Sequence, residues 1–220
     1  MAWRSTSAPR SAGQTPGALG FDTAHHLVRD EPEKLAAHYS FCVRYVRGDF
    51  TTKTAPIDAD EVQAILDAGL ALMLVQFGRT GTLSGALGQA DGDQAAQHAA
   101  ALGCQAGMSL WCDIEAVGSD VSTNALIAYL NAWYEAVSSA GFAPGVYVGT
   151  NRLNGAELYH DLRFEHYWKS GMKVPEAETR GYQMFQIRTA TVEGVSLDEN
   201  RIEADMLGGL PFWKVRPHAS

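Results

Sequence analysis

A chain of 220 residues with 46% hydrophobic and 19% charged content can bury one sizeable core, and it fits one domain better than two. Its formal net charge of -8 repels phosphate backbones, so nucleic acid is not expected as a partner. No run of eighteen apolar residues occurs, so no transmembrane helix is expected.

The first residues, 1–19, are rich in Ser, Ala, Gly and Pro and read as a flexible arm ahead of one domain over 20–220. They hold no apolar h-region of a secretory signal. The chain is therefore expected to stay inside the cell, or to leave it by a route that uses no such signal. The segment GALGFD ends a first short strand at Asp22. A helix with Pro32 near its start follows over 31–39, then a strand over 41–46. Residues 57–68 have helical apolar spacing, with Asp58 as cap, Glu61 three residues on and Gly69 as stop.

LALMLVQF, residues 70–77, is a continuous apolar run, as suits a strand buried on both faces of a parallel sheet. An Ala-rich helix over 91–103 leads to a fourth strand, MSLWCDIE, ending in Asp113 and Glu115. A long amphipathic helix from about 122 to 140 is stopped by Gly141, and a fifth strand covers 145–149. EHYWKS, YQMFQI and GVSLDEN read as three more strands. The link between the last two is too short for a parallel crossover, so they are expected as an antiparallel hairpin. The fold class expected is α/β: a single TIM-like (β/α) barrel, with helices mainly between the first five strands and the last strands joined by short loops; an open doubly wound sheet is the alternative, with no GxGxxG or Walker-type loop to support it.

Chemistry in such a barrel sits at the C-terminal strand ends. There the sequence offers Asp22, then Arg44 with Tyr45, then Gln76, then Asp113 and Glu115, then Tyr147, Trp168, Gln186, and finally Asp198 with Asn200. Residues two apart on a strand share a face, so Asp113 and Glu115 are expected to point together to the barrel axis, roughly 7 Å apart. Paired carboxylates are the equipment of glycosidic cleavage: one protonates the leaving oxygen, the other activates water or stabilises positive charge. Arg44 within an apolar strand needs a carboxylate partner, with Asp22 and Asp113 as candidates, and serves either structure or substrate contact. Tyr147 and Trp168 suit sugar stacking or core packing alike. Gln76, Gln186 and Asn200 are candidates to orient sugar hydroxyls. The three cysteines form no framework, and Cys42 and Cys112 read as small buried apolar residues. Neither they nor the seven histidines show ligand spacing, so no metal or cofactor is expected.

The segments GFD, FCVRYV, WCDIE, GVYVG and the late LDEN together resemble the bacterial domain-of-unknown-function family 1906, described as glycoside-hydrolase-like. That family is similar to the family 25 lysozymes, muramidases that cut the β-1,4 bond between N-acetylmuramic acid and N-acetylglucosamine. The resemblance runs from about Gly20 to Leu210 and implies a barrel with helices only in its first part. It further implies Glu115 as proton donor, Asp113 as stabiliser or orienter of the substrate amide, and Asp22 and Asp198 as supporting carboxylates. One departure is Cys112, standing where the lysozymes usually carry an aromatic. The expected partner is a peptidoglycan glycan strand, bound by a monomer. A glycan-binding barrel without catalysis is the alternative, disfavoured because a pure binder gains little from crowding negative charges.

Overall fold

The computed structural model describes residues 15–46 and 56–216. Residues 1–14 of the expected arm lie outside the described residues. Eight strands close into one barrel in sequence order: β1 (Leu19–Thr23), β2 (Phe41–Tyr45), β3 (Ala71–Gln76), β4 (Ser109–Asp113), β5 (Ala143–Val148), β6 (His166–Lys169), β7 (Met184–Val192) and β8 (Val195–Ile202). Strands β1 to β7 are parallel, while β8 runs antiparallel to both β7 and β1. The final pair is the hairpin that the short link demanded.

Helices α1 (Glu31–Ala36), α2 (Ala59–Asp67), α3 (Gly85–Ala101) and α4 (Thr123–Ser139) fill the first four connections. Asp58, Ser84 and Ser122 each accept a hydrogen bond from the third backbone N–H beyond, capping α2, α3 and α4. A single π-turn, Glu157–Asp161, is the helical content between β5 and β6. Helix α3 starts at Gly85 rather than near 91. The glycines that hide this start from a propensity reading have a packing purpose. A Cβ on Gly88 would lie 2.0 Å from the Tyr129 carbonyl oxygen, so its absence lets α3 and α4 touch backbone to backbone.

The sheet separates two cores. Phe41, Val43, Met73, Val75, Trp111, Met184 and Ile202 fill the barrel interior, and Trp213 from the C-terminal segment stacks on Phe41 at 5.6 Å to close its lower end. Cys42, Leu72, Leu74, Cys112 and Val146 point outward into the second core, under the helices. With the lower end filled by apolar side chains, only the upper end is open to chemistry.

Candidate active site

Alternation decides which strand-end residues reach the upper lumen. On β1 Phe21 joins the outer core, so Asp22 faces inward. On β4 Trp111 faces inward, and Asp113 two residues on does the same. Strand β8 contributes from its first half because it runs in reverse: Asp198 pairs with Asp22 across the β1–β8 seam. Glu115 lies past the end of β4 in a turn, so the expected shared strand face with Asp113 is not how the two come together. The Glu115 backbone N–H instead donates to Asp113 Oδ1 at 2.6 Å. A Cβ on Gly149 would stand 2.6 Å from the Glu115 Cβ, so the bare glycine at the end of β5 makes room for this turn.

Asp22 and Asp113 are buried. The Gly78 N–H also donates to Asp113, at 3.4 Å. Burial pushes Asp113 up to about 7 against these backbone donors, with the Glu115 charge adding to the rise. Asp22 is likewise raised to about 7. Burial is the main cause, the Asn200 amide opposes it, and the charges of Asp198 and Asp113 add to it. Glu115 is the exposed member, and partial burial and then the Asp198 charge hold its carboxyl above the usual range. Glu115 and Asp198 border a cleft of about 330 Å³ completed by Ser170, Met172, Gln186 and Thr189, among others.

Strand β7 carries a bulge at Ile187, because Gln186 pairs with Asn200 and Arg188 with Glu199. The extra residue shifts parity beyond it. Thr189 therefore meets Asp198, donating at 2.5 Å, and Arg188 turns to the outer face to pair with Glu199 at 2.6 Å. Without the bulge, Arg188 would lie opposite Asp198 and neutralise part of the carboxylate cluster.

Gln186, of the expected substrate contacts, lines the cleft. Tyr147, Trp168 and Asn200 face the lumen but are buried beneath it. The assignments of Arg44 and Gln76 to substrate contact are corrected, since both point out of the barrel. Arg44 is fully buried under α2, donating to Glu61 at 2.6 Å and to the Thr23 carbonyl. Its partner is Glu61 rather than Asp22 or Asp113. Gln76 donates to the Tyr129 hydroxyl at 3.1 Å and accepts from Trp133 Nε1 at 2.7 Å, tying β3 to α4. The inward residue at the end of β2 is Tyr45, whose hydroxyl is held well above its ordinary pKa by burial and by Asp22 and Asp113. Once Phe41 and Val43 are known to face the barrel interior, strict alternation places Tyr45 there too. Among the described residues no group of three His, Cys, Asp or Glu is arranged to hold a metal ion, and no helix is long and apolar enough to cross a membrane.

Comparison with known proteins gives a family and a fold. The profile of the Rv2525c-like, glycoside hydrolase-like domain matches residues 34–202. No curated protein matches the sequence. The Tat-secreted protein Rv2525c of Mycobacterium tuberculosis, solved with L-tartrate, superposes with a TM-score of 0.65 at 19% identity, covering 84% of this chain and 95% of that one. A family 25 glycosyl hydrolase from Bacillus anthracis gives 0.62 at 11% identity, covering 90% and 94%. A muramidase from Trichobolus zukalii gives 0.61 at 16%, covering 84% and 93%. At these identities the likeness to the solved structures establishes the fold.

Proposed function

The chain belongs to the Rv2525c-like family of glycoside hydrolase-like domains, and from that premise we propose that it is a glycosidase acting on bacterial cell-wall peptidoglycan. One observation carries the reading: four carboxylates, Asp22, Asp113, Glu115 and Asp198, converge on the open end of a barrel whose other end is filled. Glu115 is the general acid. It borders the cleft, and its raised proton affinity keeps a proton available for the leaving oxygen of the sugar. Asp113, held by two backbone donors, serves as base, as stabiliser of positive charge, or as orienter of a substrate N-acetyl group. Asp22 and Asp198 support from the β1–β8 seam. A muramidase among the structural neighbours supports a glycan of the wall as substrate, and the Tat-secreted neighbour supports export to reach it.

The test is release of reducing ends from purified peptidoglycan between pH 4 and 8, wild type beside Glu115→Gln. Release by the wild type that falls on the order of 10²–10⁴-fold in the mutant, with the fold retained, establishes the glycosidase and its acid. Wild-type rates in Glu115→Gln sink the assignment of the acid. No release from walls of several types sinks the enzyme and leaves a glycan-binding barrel.

A further inference from the structure

Beneath the cleft, five side chains form a closed ring. Trp168 Nε1 donates to Asn200 Oδ1 at 2.9 Å. Asn200 Nδ2 donates to Asp22 Oδ2 at 2.7 Å, and also to the Asp198 carbonyl at 3.0 Å. Gln186 Nε2 approaches the same Asp22 oxygen at 3.5 Å. The Tyr147 hydroxyl donates to Gln186 Oε1 at 2.8 Å, and the Tyr147 ring packs on Trp168 with centroids 4.5 Å apart, closing the circuit.

The ring has a direction, and Trp168 sets it. An indole N–H can only donate, so the oxygen of the Asn200 amide must face Trp168. The amide NH2 must then face Asp22. A flipped Asn200 would set two donors against each other and two oxygens against each other at a wholly buried side chain, a costly arrangement. The donors on Asp22 converge on Oδ2, and Oδ1 has no hydrogen-bond partner among the described residues. Trp111 Nε1 and Trp213 Nε1 are both buried and unpartnered, but Asp22 Oδ1 is not in that state, so it keeps contact with solvent.

We propose that Trp168 and Asn200 are positioning residues. The indole orients the amide, the amide holds Asp22 Oδ2, and Asp22 meets a bound sugar through Oδ1 alone. The proposal rests on the glycosidase reading only for the identity of what Oδ1 meets. The ring binds no substrate itself. It decides where the Asp22 proton resides: with Oδ2 occupied by donors, the proton of the neutral carboxyl sits on Oδ1, and Asp22 acts as a hydrogen-bond donor to the ligand. The other titratable groups around Asp22 are Cys42 and Tyr45 from β2, Asp113 from β4, Tyr147 from β5 and Asp198 from β8, all acidic. They favour the neutral carboxyl that this role requires.

The test needs no substrate. In a ¹⁵N–¹H spectrum the indole N–H signals of the five tryptophans are followed from pH 5 to 9. Trp168 is identified by its loss in Trp168→Phe or, if that variant does not fold, by nuclear Overhauser contacts to Tyr147. The expected result is a Trp168 signal that shifts with a midpoint near 7, tracking Asp22 through Asn200, and that stops shifting in Asp22→Asn. In Asn200→Ala, the Asp22 carboxyl carbon should titrate roughly one pH unit higher than in the wild type. If the protein releases sugar, the pH profile should move the same way. A Trp168 signal indifferent to pH, or one that shifts unchanged in Asp22→Asn, overturns the proposal. Absence of glycan cleavage leaves these spectra as the judge, so failure of the ring and failure of the glycosidase reading are separate results.

Discussion

Glu61 and Asp91 lie on the outer side of the sheet, Asp22 and Asp113 on the inner side, and all four are 2–5% exposed. Glu61 is held by Arg44, by His26 at 2.9 Å and by the Leu27 N–H. Asp91 takes two bonds from Arg79 at 2.6 Å and one from Tyr129 at 2.7 Å. The donors on Asp22 are two amides, and those on Asp113 are two backbone N–H groups; none of these is a cation. Equal burial thus has opposite consequences. Outside the barrel, the charges are matched: Glu61 fixes α2 to β2, and Asp91 fixes α3 to α4 and to the loop after β3. Inside it, desolvation outweighs the neutral amide and backbone donors, and both carboxyls are pushed to about 7. A buried acid with its own arginine belongs to the architecture, and one without is a candidate for the chemistry.

The sharpest way to break this contrast is to unmatch an outer pair. Arg44→Met leaves Glu61 buried without its guanidinium, and a loss of about 3–5 kcal/mol in denaturant unfolding is expected. A loss below about 1 kcal/mol would mean that the pair is not structural. The inner acids should behave in the opposite sense. Between pH 4 and 7 the folded protein keeps protons on Asp22 and Asp113 that the unfolded chain, with carboxyls near 3.9, has released. Stability is therefore expected to fall as pH rises through that window and to level off above it. At pH 8, Asp22→Asn and Asp113→Asn should each recover on the order of 2 kcal/mol, seen as a flatter dependence of the unfolding midpoint on pH. A midpoint that rises with pH in the wild type would refute the assignment of unmatched inner acids. The smallest effect concerns Glu115, the most exposed of the four carboxylates. Gly149→Ala places a methyl 2.6 Å from its Cβ and 2.9 Å from the Tyr147 ring, so the turn must shift, and glycan release should drop roughly tenfold. Unchanged release would show that the turn carrying Glu115 tolerates displacement.

The alternation of helices with apolar runs was enough to read a parallel sheet, because each run announces a strand buried on both faces. The six-residue link before Gly194 was enough to read the final hairpin. The carboxylates were legible as polar residues closing apolar runs, and Asp22 and Asp198 as neighbours once the barrel closes. The direction of each strand-end side chain was less legible. Arg44 and Gln76 share the position and polarity of site residues, yet one step of parity sends them under the helices, and Tyr45 takes the inward place. A strand with apolar residues on both faces carries no polar alternation from which to read its inward side.

The sequence by itself determined the order of the elements and the set of acidic residues at the strand ends. These follow from local periodicity and link length. The tertiary structure alone decided which acids go without a cation, that Ile187 bulges so that Thr189 and not Arg188 meets Asp198, and that Trp168 reaches Asn200. The physical reason is that register and facing are set across strands far apart in the chain, where a shift of one residue exchanges every inward side chain for its outward neighbour.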